Sequence, residues 1–144
     1  MNFDSLSRFQ PHLLAALRIV AGLLFLTHGL VKLFGFPEGA QPGPVPLMSL
    51  MGIGGVIELA TGLLIALGLF TRPAAFIASG QMAVAYWMFH APSGFHPILN
   101  QGELAALYCF VFLYIAAAGA GALSLDRARS ARGPVSAASA STVI

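Results

Sequence analysis

The chain has 144 residues, 58% of them hydrophobic and 8% charged, with a formal net charge of +2 and a mean hydropathy of +0.84. Soluble domains average about 45 to 50% apolar and about 25% charged residues, so this composition indicates an integral membrane protein. The scattered basic residues do not form the stripe that a nucleic-acid binder needs, and the single cysteine, Cys109, excludes an intramolecular disulfide and a thiolate metal cage.

In chain order, residues 1–12 are expected to form a cytoplasmic leader, in which Phe3, Leu6 and Phe9 have the spacing of one helical face. An interfacial helix and a flexible segment both fit it. Residues 13–125 are expected to form one transmembrane domain of four helices, about 13–36, 47–70, 74–91 and 104–123. Each is near the roughly 17 to 25 residues that cross hydrocarbon. The first run continues through Thr27, His28 and Gly29 with no small-x-small cleavage site, so it reads as a retained span rather than a signal peptide. Stretches such as "LLIALGLF" do not alternate as barrel strands must.

Proline and glycine divide the chain in the same way. Every proline lies between the proposed helices or at their starts, where a missing N–H costs least. Gly22, Gly29, Gly54, Gly55 and Gly62 lie inside spans, where small residues let helices approach closely. Arg8, Arg72, Arg127, Arg129 and Arg132 all fall on one side, whereas the loops "PEGAQPGPVP" and "PSGFHPILNQ" carry no Lys or Arg. Both termini are therefore expected in the cytoplasm. Residues 126–144, rich in Ser and Ala, are expected to be a disordered cytoplasmic tail.

Ionisable residues inside a membrane are costly and mark function by default. At about 100° per residue, Arg18, His28 and Lys32 share one stripe of the first helix, and Glu58 shares a face of the second with Gly54, Gly55, Thr61 and Gly62. This predicts direct contact between the two helices. With a rise of about 1.5 Å per residue, His28 and Glu58 are nearly level, with Arg18 lower but within reach of Glu58. Lys32 lies near the outer surface, within range of Glu103. The candidate ligand-binding set is thus Arg18, His28, Lys32, Glu58, Gln81 and Glu103, with Glu58 and His28 as a candidate proton relay.

Each of these residues also has a structural reading. Lys32 and Arg18 are long enough to snorkel, His28 is tolerable as a hydrogen-bonded core histidine, and Glu58 as an ion-paired packing residue. Tyr86 and Trp87 fit an interfacial aromatic belt. His90 and His96 have no specific metal-ligand spacing, and no metal site is assigned.

"RIVAGLLFLTHGLVKLFGF", "GVIELATGLLIALGLFTRPAA" and "MAVAYWMFH" resemble the DoxX family of small four-helix bacterial membrane proteins. The resemblance covers about residues 13–125. Its most specific parts are H-G-x-x-K-L-F-G, at His28, Gly29, Lys32 and Gly35, and the helix-two pattern of Glu58, Gly62 and Gly68. Family members are commonly labelled oxidoreductases or quinol-oxidase-like subunits, by relation to a subunit of thiosulfate:quinone oxidoreductase. The resemblance therefore implies a multi-pass protein of the bacterial cytoplasmic (inner) membrane, acting as a quinone-associated oxidoreductase subunit or as an accessory component of a membrane redox or stress complex. The sequence carries no flavin, haem or iron–sulfur motif, so no intrinsic cofactor is expected, and electron transfer would use bound quinone or the cofactor of a soluble or membrane redox partner. The alternatives are a non-enzymatic scaffold for a soluble redox protein, held through Arg72 and the basic tail, and a proton-coupled small-molecule transporter, for which four helices would have to form a homo-oligomer.

Overall fold

In a computed structural model, which describes residues 3–131, all regular secondary structure among the described residues is helical. A 3-10 turn over Phe3–Phe9 leads into α1, Gln10–Phe34, which opens with Pro11 in its first turn and ends at Gly35. The next helix, α2, spans Leu50–Leu67. It starts where the Ser49 hydroxyl accepts from the Gly52 N–H at 3.0 Å, and stops at the left-handed Gly68.

α3 spans Thr71–Ala85 and continues as a π-helical turn over Tyr86–His90. A 3-10 turn, Ala91–Ser93, and the single-turn α4, Pro97–Asn100, lead to α5 over Glu103–Ala118. α6 covers Leu125–Ser130.

α1 packs along α2, α3 packs along α5, and an α2–α3 contact joins the two pairs. Phe25, Ile65, Ala75, Tyr108, Phe112 and Ile115 form the centre, with the Phe25 and Phe112 rings edge to face at 4.8 Å. The glycine-lined contact between α1 and α2 is present, and it is very close. A Cβ on Gly22 would lie 2.7 Å from the Ala66 nitrogen, and one on Gly62 would lie 2.6 Å from the Leu26 nitrogen. Neighbouring backbone cannot yield as a side chain can, so only glycine permits this approach.

Much of the outside is apolar too. Leu23, Leu24, Ile53, Phe76, Ile77 and Phe110 are all exposed. Such a surface would be an aggregation hazard in water and is compatible with hydrocarbon. By length and composition two described helices suffice to cross a membrane, α1 with the turn before it and α2; α5 is apolar but shorter, at 16 residues.

The first two helices, expected at 13–36 and 47–70, span Gln10–Phe34 and Leu50–Leu67, and three further boundaries shift for local reasons. The fourth long helix ends at Ala118 rather than 123, because Gly119, Gly121 and Leu123 all take positive φ and reverse the chain. α3 begins at Thr71, before Pro73, because proline is tolerated in a first turn. The chain from 126 to 131, expected as disordered tail, instead enters α6, whose first turn is capped by the Ser124 hydroxyl accepting from the Arg127 N–H at 3.2 Å. The rest of that expected tail, from 132, lies outside the described residues.

Candidate functional site

The structure separates the expected Arg18, His28 and Glu58 cluster and replaces Arg18 with Lys32. A helical side chain leans toward the N-terminus of its own helix. Arg18 therefore points away from Glu58, toward the end of the bundle that holds the α2–α3 turn. There it is completely buried, and it donates from Nε to the Ala120 carbonyl at 2.9 Å, from Nη1 to Ile65 and Ala66 at 2.6 and 2.7 Å, and from Nη2 to Leu123 at 2.9 Å. Its donors close the C-terminal end of α2 and the loop after α5 at once. Gly68 makes room for this, since a Cβ there would meet the guanidinium carbon at 2.9 Å.

Lys32 leans the same way along α1, and Glu58, on a helix running the other way, leans toward it. Their contact, Nζ to Oε1, is 2.5 Å, with the two side chains only 16% and 2% exposed. Lys32 thus pairs with Glu58 rather than with Glu103, which is exposed in the first turn of α5. Gln81 of α3 completes the group by donating its amide to the Gly54 carbonyl at 3.0 Å and to Glu58 Oε1 at 3.1 Å. A carbonyl only accepts, so the Gly54 contact fixes which end of the amide is nitrogen. Glu58 Oε2 and Gln81 Oε1 are left buried with no hydrogen-bond partner.

This group belongs to the wall of a cavity of about 720 Å³. Much of the remaining wall is apolar, from Phe25, Ile57, Ile77, Met82, Leu104 and Tyr108. His28 also lines it. Its Nδ1 donates to the Leu24 carbonyl at 2.9 Å, and its ring stands edge-on to Tyr108 at 6.1 Å. His28 is therefore bonded to its own helix and not to Glu58, so a proton moving between the two needs a bridging molecule.

Gln41, His90 and Gln101 reach the same cavity from loops and the π turn. The sequence reading passed over Gln41 and Gln101 and treated His90 only as a metal candidate. The signal that marks His90 is structural: it ends a π turn, a feature that concentrates at functional sites and is not written in hydropathy.

At the opposite end, Asp126 accepts from the Phe70 and Thr71 N–H groups at 2.8 and 2.9 Å, supplying the cap that α3 lacks from its own sequence. Partial burial alone would raise the Asp126 pKa. The donors on Thr71 and Phe70, with Arg129 nearby, outweigh burial and hold the carboxyl below its ordinary range. Arg72, expected as a docking residue, is engaged within the fold: it donates to the Ala116 and Ala117 carbonyls at 3.0 and 2.6 Å, at the end of α5.

Fold and cavity together define a helical membrane protein with a mainly apolar pocket whose wall includes a buried ion pair. The DoxX family model matches residues 13–91, and the chain belongs to the DoxX family. It is 46% identical over 132 residues to an uncharacterized protein of Haemophilus influenzae, covering 85% of this chain and 95% of that one. It is 32% identical over 129 residues to the inner membrane protein YphA of Escherichia coli, covering 82% and 91%. No solved structure matches.

Proposed function

We propose that the cavity holds the head group of a membrane quinone, and that the chain serves as a quinone-associated subunit or accessory component of a membrane redox complex. The observation that carries this is the pair of unpartnered buried oxygens, Glu58 Oε2 and Gln81 Oε1, in the wall of a mainly apolar cavity. Buried polar atoms in folded proteins almost always have partners, so a wall with two open acceptors suits a polar group arriving on an apolar molecule. Rings at Phe25, His28 and Tyr108 offer flat contacts to a flat head group.

A bound quinone supplies the two-electron chemistry. The protein's own groups do the rest. Lys32 neutralises the Glu58 carboxylate in a low-dielectric site, Gln81 holds Glu58 Oε1 in place, and the Leu24 bond occupies His28 Nδ1, which leaves Nε2 as the ring position open to a ligand. Glu58 and His28 are then two proton-accepting positions on one cavity.

In this reading the chain crosses a bacterial cytoplasmic membrane four times, by α1, α2, α3 with its π turn, and α5, with both termini inside. Arg72 and Arg129 at one end, and loops free of Lys and Arg at the other, support that orientation. The name of the Escherichia coli relative supports the membrane. Extraction of lipids from protein purified in mild detergent is expected to yield stoichiometric quinone, depleted in Glu58→Ala. Absence of quinone from the wild-type protein, with unchanged quinone reduction in Glu58→Ala membranes, would sink the proposal.

A further inference from the structure

The hydrogen-bond inventory of the cavity wall leads to a sharper statement about its ligand, which rests on the quinone reading above. We infer that the site prefers a head group that donates hydrogen bonds, and therefore binds the hydroquinone form in preference to the quinone.

Both amide donors of Gln81 are spent, on Gly54 and on Glu58 Oε1, so its remaining atom, Oε1, only accepts. Glu58 has used Oε1 on Lys32 and Gln81, and its free Oε2 is again an acceptor. His28 has its Nδ1 donor committed to Leu24. Of these four residues Lys32 alone retains N–H groups beyond those already bonded; the Gln41 and Gln101 amides and the Tyr108 hydroxyl are further donors on the lining, but none of them relieves Glu58 Oε2 or Gln81 Oε1.

Two chemistries of ligand oxygen meet this wall differently. A quinone carbonyl accepts from Lys32 but brings its lone pairs toward Glu58 Oε2 and leaves both open acceptors unsatisfied. A phenolic hydroxyl accepts from Lys32 and also donates, to Glu58 Oε2 or Gln81 Oε1. Leaving a buried acceptor unmet, when the acceptor is charged, corresponds to a loss of about tenfold or more in affinity. Glu58 and Gln81 lie on α2 and α3, so the preference is set where the two helix pairs join.

Binding to the purified full-length protein in nanodiscs, measured anaerobically by titration calorimetry, tests this with three probes of one shape: decyl-benzoquinone, its hydroquinone, and the hydroquinone dimethyl ether. The hydroquinone is expected to bind about tenfold or more tightly than the other two. In Gln81→Met, checked for an unchanged melting temperature, the ratio is expected to shrink. Equal or tighter binding of the quinone overturns the inference and leaves the quinone reading standing. Ether binding as tight as the hydroquinone overturns it too, since the ether has no donor. Failure of all three to bind overturns both. The wild-type comparison decides the matter even where the variant does not fold.

Discussion

Lys32 Nζ and Glu58 Oε1 meet at 2.5 Å across the α1–α2 contact because two antiparallel helices tilt their side chains toward each other. Removing one partner from a buried pair strands the other charge. Lys32→Met is expected to destabilise the protein by about 3 to 5 kcal/mol, while Lys32→Met with Glu58→Met costs far less. Reversible unfolding in bicelles measures both. Additive losses in the double variant would show that the two residues act independently.

Arg18→Lys keeps the charge and loses the fork. Four carbonyls, of Ile65, Ala66, Ala120 and Leu123, now share one guanidinium. A lysine ammonium has three donors around one point and cannot span them. The substitution is expected to cost about 2 kcal/mol or more, with faster amide exchange at the C-terminal end of α2 and in residues 119–126. A wild-type melting temperature for this variant would contradict the clamp.

Gly62→Ala adds only a methyl group, but the methyl would sit 2.6 Å from the Leu26 nitrogen. Helix separation is expected, at a cost of about 1 to 3 kcal/mol, together with a weaker Lys32–Glu58 contact. Gly80→Ala serves as the control, since a Cβ there meets nothing within 4 Å. Equal behaviour of the two variants would refute the close-approach argument.

The Asp126 carboxyl is held below its ordinary value of 3.8 by the α3 N–H groups, despite the opposing effect of burial. The sign follows directly. A lowered folded-state pKa gives stability that is complete well above pH 3.8 and is lost as pH falls through the folded value. Docking of α6 should therefore weaken only in strong acid. Asp126→Asn should remove that acid-dependent component and leave the melting temperature flat from neutral pH down to that range. An unaltered acid transition in Asp126→Asn would assign it to other groups.

The sequence made the bundle, the α1–α2 glycine face and the importance of Glu58 legible, because periodicity and small-residue spacing report which face is buried. It misassigned the partner of Glu58. Arg18 and Lys32 lie only about 40° apart on a helical wheel, and the choice between them depends on the direction of side-chain lean, which a wheel omits. Asp126 was missed altogether. Its capping role exists only once Gly119, Gly121 and Leu123 have turned the chain back onto the α2–α3 corner. The cavity depends on loop residues such as Gln41, whose arrival no local pattern announces.

Arg18 also sets an order of assembly. Its residue enters the membrane with the first span, but two of its acceptors, Ala120 and Leu123, lie 102 and 105 positions further along the chain. The Ile65 and Ala66 carbonyls arrive with α2, whereas Nε and Nη2 have no protein acceptor until the segment after α5 is made. The clamp is therefore completed from the last-made segment, and a chain that stops before Ala120 leaves Nε and Nη2 of Arg18 without these partners.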